Sequence, residues 1–94
     1  MGIDRVVGGD NVNCTTIMAV QIDDRTVDAP RFQEIITNHG CLIKTRLGVH
    51  QIDNCANSGL ILLQLCGNDD QITAVGNEIN SISNAKAKWM KLDF

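Results

Sequence analysis

Leu60-Ile-Leu-Leu-Gln-Leu-Cys66, LILLQLC, is the stretch on which the fold turns, because apolar side chains occupy both its odd and its even positions. Successive side chains of a strand point to opposite faces, so such a run is buried on both sides, at the centre of a sheet or under a partner. Before it, QIDNCANSG is a turn-rich connection, and CLIKTRLGVH alternates. Cys41, Ile43, Leu47 and Val49 fall on one side and Lys44, Arg46 and His50 on the other, the pattern of a half-buried strand. After it, NDDQITAVGNEINSIS places Ile72, Val75, Ile79 and Ile82 at helical spacing behind an Asn/Asp cap. The chain closes on NAKAKWMKLDF, another alternating strand.

The N-terminal half repeats the scheme. Thr15 to Ile22, TTIMAVQI, is β-branched and apolar and predicts a strand. DDRTVDAP then supplies acids, a capping Thr or Asp and a proline suited to a helix's first turn. Phe32, Ile35 and Ile36, with Ala29 or Val27 behind them, recur at helical spacing until NHG provides a glycine stop. The order is β-α-β-β-α-β, an α+β fold with a four-stranded antiparallel sheet and two helices on one face. Right-handed crossovers place the first and third strands in the middle and the second and fourth at the edges. Residues 1–14 are polar and Gly-containing and predict a flexible N-terminal arm; residues 15–94 make a single domain.

Composition narrows the function classes. A chain of 94 residues is one domain and buries only roughly 60–65% of its unfolded surface, so oligomer contacts are expected to add stability. With one Trp, two Phe and no Tyr, recognition of nucleic acid by base stacking is disfavoured. A net charge of −3 and a pI of about 5.1, with no helix-turn-helix segment, disfavour direct DNA binding. No apolar run approaches a membrane span, and MGIDRVVGGDNVN lacks the apolar block of a signal peptide, so the expected location is cytoplasmic. Cys14, Cys41, Cys55 and Cys66 lie far apart without a C-x-x-C, and in a cytoplasmic protein they are expected to be reduced.

The topology sorts the polar residues between the two ends of the sheet. One end receives Asp23, Asp24 and Asp28 with His50, Asp53 and Cys55; the other receives Cys14, His39, Cys41, Cys66, Asp69 and Asp70. Cys41 comes within a residue or two of register with Cys66, and Cys14 starts the neighbouring strand. Cys14, Cys41 and Cys66 with His39 are therefore the candidate metal ligands, since thiolates and imidazole suit zinc, nickel or copper. The simpler account, and the favoured one, makes the cysteines small hydrophobes ending strands and puts His39 in a helix-terminating turn. No third group orients a Cys-His pair, so no catalytic residue is expected.

The acids before each helix are explained by capping and dipole complementarity, about 0.3–1 kcal/mol each. A divalent cation on Asp23, Asp24 and a loop carbonyl is the alternative. Lys44, Arg46, Lys86, Lys88 and Lys91, five of the eight basic residues, lie on the predicted edge strands, where lysine blocks sheet-to-sheet aggregation. Their other reading is an anionic ligand or acids across a subunit interface, with the Arg46 guanidinium able to clamp a carboxylate. Arg46, Lys44, His50, Asp23 and Asp24 are the candidate ligand-binding residues. Because the helices cover one face only, the apolar second face is expected to pair with another copy, face to face or through edge strands.

FQEIITNHGCLIKTRLGV, with its helix, glycine turn and Arg-x-Gly step at Arg46 and Gly48, resembles the family of iron-only hydrogenase system regulators. The resemblance continues through SGLILLQLCGNDDQITAVGNEINSISNAKAKWMKL. It implies a ferredoxin-like, ACT-like fold and an oligomeric (dimeric or tetrameric), non-enzymatic regulatory or ligand-sensing module. The link would be to hydrogenase expression or maturation, with an unknown small-molecule effector, unknown cofactors and hydrogenase-related proteins as partners. Leu60, Ile61 and Leu62 stand where the related regulatory domain of nickel-responsive repressors has His-x-His, and DDRTVDAP lacks the glycine of an ACT-type amino-acid site. The alternatives are a metal- or redox-responsive module using Cys14, Cys41, Cys66 and His39, and an assembly adaptor.

Overall fold

A computed structural model describes residues 12–23, 25–49 and 59–92, with the backbone alone for 25–27 and 49. The elements are β1 (Asn13–Ile22), α1 (Arg25–Asn38), β2 (Ile43–Val49), β3 (Gly59–Gly67), α2 (Asp69–Asn80) and β4 (Ala85–Lys91). The strands form one sheet in the order β2-β3-β1-β4 with every neighbouring pair antiparallel. This is the ferredoxin-like βαββαβ arrangement, with LILLQLC in a central strand.

One face of the sheet packs on the helices. Met18, Val20 and Ile22 of β1, Leu63 and Leu65 of β3, and Ala85 and Ala87 of β4 meet Phe32, Ile35 and Ile36 of α1 and Ile72, Val75 and Ile79 of α2. Alternation puts every second residue of both central strands in this layer, and the helices close it through their 3-4 stripes. Ile82 joins the core from beyond the end of α2, where its N–H donates to the Ile79 carbonyl at 3.0 Å. The helical spacing therefore runs on into a tighter final turn.

The N-terminus of α2 is built by local chemistry. The Asn68 side chain accepts from the Gln71 N–H at 2.8 Å, and the Gln71 side chain accepts from the Asn68 N–H at 3.0 Å. This reciprocal box satisfies two backbone donors that the helix leaves free. Asn68→Ala is expected to cost about 1 kcal/mol, read as a lower urea midpoint at unchanged slope. An unaltered midpoint would show that the cap contributes nothing.

Three boundaries differ from expectation, each for a local reason. β1 begins at Asn13, inside the predicted arm, because the Asn13 Oδ1 accepts from the Thr15 N–H and from the hydroxyls of Thr15 and Thr16 at 2.9, 3.1 and 3.2 Å. Residues 1–11, the rest of that arm, lie outside the described residues. α1 begins at Arg25, so Pro30 sits within the helix and not in its first turn. Its missing N–H forfeits a bond to the carbonyl of residue 26.

The third difference is in β2. Ile43 faces Leu65, yet Thr45 faces Gln64, so one extra residue enters the strand. A bulge of this kind reverses which side chains face the core. Ile43 packs against the core, whereas Leu47 lies opposite Leu62 on the uncovered face and is 55% exposed. Arg46, placed by the alternation opposite the apolar set, turns to the helix side and donates to the Gln33 Oε1 at 3.1 Å.

Candidate functional site

Three features carry the chemistry: the uncovered sheet face, a cleft at one end of the sheet, and a cysteine corner at the other. On the uncovered face, Leu47, Leu60 and Leu62 adjoin Ile17 and Ala19 of β1 and Met90 of β4 through the strand register. Leu60 is 37% and Met90 59% exposed. Lys86 and Lys88 border this strip on β4, and Thr45 and Gln64 border it on the opposite flank, joined by a hydrogen bond of 2.9 Å.

β4 is an edge strand whose outer rim is partly closed. The Asn80 side chain donates to the Ala87 carbonyl at 3.1 Å and accepts from the Ala87 N–H at 2.7 Å. The amide thereby occupies the groups through which an added strand would pair. The sequence signal was present, since an Asn ending a helix just before a strand can reach that strand's backbone.

The cleft has a volume of about 170 Å³ and is lined by Gln21, Asp23, Ser83, Asn84 and Lys86. Its floor forms where the Asp23 N–H donates to the Asn84 carbonyl at 2.8 Å, tying the end of β1 to the turn before β4. A carboxylate and an ammonium line it together, and they form no ion pair with each other among the described residues. Asp23 was a sequence candidate; Lys86 was read as an edge lysine or a contact for an anion and was not joined to Asp23, because its neighbours come from a distant turn.

The other candidate ligand residues are not gathered here. Lys44 and Arg46 lie on β2 and do not line the cleft, while Asp24 and His50, like Asp53 and Cys55, lie outside the described residues. Lys91 approaches the Asp69 carboxylate at 3.4 Å, at the first turn of α2. Asp28 is buried in the first turn of α1, and its Oδ2 has no hydrogen-bond partner among the described residues. The partial positive charge of the helix N-terminus favours a carboxylate at that position.

At the opposite end, the sulfurs of Cys14 and Cys66 meet across neighbouring strands, placed as a disulfide pair would be. Compartment and sequence spacing, on which the reading of separate thiols rested, do not report adjacency. The ladder pairs Asn13 with Gly67 and Thr16 with Leu65, so Cys14 and Thr15 together oppose Cys66. The bulge thus brings two sulfurs from directly neighbouring strands into contact.

His39 takes a different partner: its Nε2 hydrogen-bonds the Glu78 Oε1 and pins the end of α1 to α2. Cys41 is free and exposed. The proposed metal set of Cys14, His39, Cys41 and Cys66 is therefore not assembled, and no three His, Cys, Asp or Glu side chains come together as metal ligands among the described residues. Cys14 and Cys66 meet each other instead, and His39 meets a carboxylate.

Fold and site together define a small ferredoxin-like α+β domain with one bare apolar face. The chain is similar in structure to an uncharacterized protein from Thermotoga maritima, with a TM-score of 0.76 and 23% identity over 89% of this chain and 99% of that one. It is also similar to a functionally unknown protein from Pediococcus pentosaceus, with a TM-score of 0.54 and 10% identity over 86% of this chain and 95% of that one. At these identities the likeness establishes the fold. No family model matches the chain, and no curated protein matches it. Among the described residues no helix is long and apolar enough to cross a membrane.

Proposed function

We propose that this chain is a non-enzymatic regulatory domain of the cytoplasm. It associates with further copies of itself through the uncovered sheet face and takes up a small polar effector in the cleft beside that face. The observation that carries the reading is the apolar strip of Ile17, Ala19, Leu47, Leu60, Leu62 and Met90, three of whose members are more than a third exposed. Small domains rarely leave such a contiguous patch in water. The Asn80 clasp disfavours sheet extension through β4, which supports face-to-face contact. The link to iron-only hydrogenase expression or maturation rests on the sequence resemblance around Arg46 and Gly48.

Native mass spectrometry of freshly prepared protein tests association and effector together. A dimer or tetramer carrying a retained small molecule is the expected result. Leu62→Lys sets a charge in the middle of the strip and is expected to raise the dissociation constant at least a hundredfold, about 3 kcal/mol. Wild-type protein that stays monomeric at micromolar concentration would overturn the association. Capture of hydrogenase maturation factors without any small ligand would favour the adaptor reading.

A further inference from the structure

The meeting of the Cys14 and Cys66 sulfurs is used by neither the effector cleft nor the apolar strip. Further observations fix it. The ladder pairs Asn13 with Gly67 and Thr16 with Leu65, so Cys66 stands across from the bulged step that contains Cys14. The Gln64 side chain donates to the Cys14 carbonyl at 2.9 Å, and the Cys66 N–H donates to the Leu42 carbonyl at 2.7 Å, so both strand ends are held where the sulfurs meet. Cys14 is exposed and Cys66 half-buried. Cysteines that only fill space as small hydrophobes would both be covered. An open thiol beside a half-buried one is the arrangement of a reacting cysteine and the cysteine that resolves it.

We propose that Cys14 and Cys66 are a redox-responsive dithiol that closes and opens by exchange with small disulfides of the glutathione class. The Cys14 thiolate attacks one sulfur of oxidised glutathione; the Cys14–glutathione bond forms, the glutathione S–S bond breaks, and one glutathione leaves as its thiolate. The Cys66 thiolate then attacks the Cys14 Sγ, the Cys14–Cys66 bond forms, and the second glutathione leaves. The protons lost by the two cysteines are taken up by the two glutathione thiolates, and two electrons pass from the pair to the glutathione disulfide. Excess reduced glutathione runs the same steps backwards. Because the two sulfurs already meet, the resolving step needs no movement of the backbone.

The oxidised pair clamps the start of β1 to the end of β3, just before the Asn68 cap of α2. Its partners are 52 residues apart, so the bond closes a loop that holds α1, β2 and β3 and restricts the unfolded chain. In the reduced state the Thr15 hydroxyl still donates to the Leu92 carbonyl at 2.7 Å, and the Leu92 N–H to the Thr15 carbonyl at 3.1 Å. The sheet therefore survives opening, and the pair sets how firmly its two central strands are joined at this end. The pair stands apart from the proposed effector cleft and self-association, and its failure would leave both intact.

The test uses the full chain carrying Cys41→Ser and Cys55→Ser, reduced, desalted and incubated with oxidised glutathione, then quenched with acid and mapped by mass spectrometry without reduction. Loss of two hydrogens, a Cys14–Cys66 peptide and no retained glutathione are expected, with full reversal in excess reduced glutathione. The linked chain is expected to unfold at a higher urea concentration than the reduced one. Adding Cys66→Ser should stop the reaction at a stable Cys14–glutathione adduct. If that variant fails to fold, the mapping of the chain that keeps both cysteines decides alone. The same mapping with Leu62→Lys added opens the uncovered face, so shielding by a second copy cannot mask the pair. Unmodified thiols or glutathione retained on both cysteines in both chains would overturn the proposal. So would a Cys14–Cys66 bond that excess reduced glutathione leaves intact, or a linked chain no more resistant to urea than the reduced one.

Discussion

Gly76→Val is expected to destabilise the domain by about 3 kcal/mol, the upper end for forcing extra atoms into a packed core. Gly76 lies in the third turn of α2 on its buried face, and a Cβ there would stand 2.2–2.8 Å from three ring carbons of Trp89. Trp89 comes from β4, opposite Met18, and its ring carbons occupy the space that a side chain at residue 76 would take. Intrinsic propensity points the other way, since alanine exceeds glycine in a helix by about 1 kcal/mol. Gly76→Ala therefore separates the two effects. Net destabilisation of roughly 1–2 kcal/mol is expected, because the clash outweighs the propensity gain.

Trp89 is the single tryptophan of the chain, so its fluorescence reports both the unfolding transition and the displacement of the ring. Combining Gly76→Ala with Trp89→Leu should recover part of the loss, the coupling expected of residues in contact. If Gly76→Ala alone raised stability by about 1 kcal/mol, the ring would not be seated on the glycine.

Phe32→Ala is expected to cost about 3–5 kcal/mol, a large part of the roughly 5–15 kcal/mol that stabilises a domain. Phe32 is 1% exposed and is among the largest fully buried side chains in the fold. α1 anchors itself through Phe32, Ile35 and Ile36 and carries Pro30 within its length, so its own backbone contributes less than an uninterrupted helix would. Removing the ring opens a cavity where α1 meets the sheet, and the helix has few other apolar contacts with which to collapse into it. The exposed neighbour Glu34, paired with Arg31 at 2.8 Å, is the control: Glu34→Ala should change stability by less than about 0.5 kcal/mol. Urea unfolding checks both, and a loss below about 1 kcal/mol for Phe32→Ala would mean that α1 is held by something else.

The architecture was legible because it depends on period. Leu63 and Leu65 behind a two-sided run, the 3-4-3 steps from Ile72 to Ile82, and the Asn68 cap each follow from local chemistry that a few consecutive residues contain. β2 was misread at two points: it begins at Ile43, with Cys41 in the turn before it, and its ladder slips by one residue. A single inserted residue near Lys44 leaves the composition of CLIKTRLGVH untouched but reverses every side chain after it, and no periodic count detects where a ladder slips.

The candidate sites were legible only in part. Asp23 was named because loop acids at a strand end are conspicuous, but Ser83 and Asn84 of a turn and Lys86 of β4 reach the same cleft from some sixty residues later. Cys14, Cys41 and Cys66 were assigned to the correct end of the sheet, yet the sulfur of Cys66 meets that of Cys14 and the imidazole of His39 meets Glu78. Contact between a particular pair of side chains depends on register and rotamer, which residue types do not encode.

What the amino-acid order determined by itself was therefore the element sequence, the strand order and the existence of one bare apolar face, all of which arise from hydrophobic period and short-range capping. The tertiary structure alone decided which atoms meet: Trp89 over Gly76, Asn80 across the rim of β4, Arg46 toward Gln33, and sulfur to sulfur at a bulge. The reason is physical. Burial is nearly non-directional and follows composition, whereas disulfides, clasps and clefts need a few atoms placed within ångströms by segments far apart in the chain.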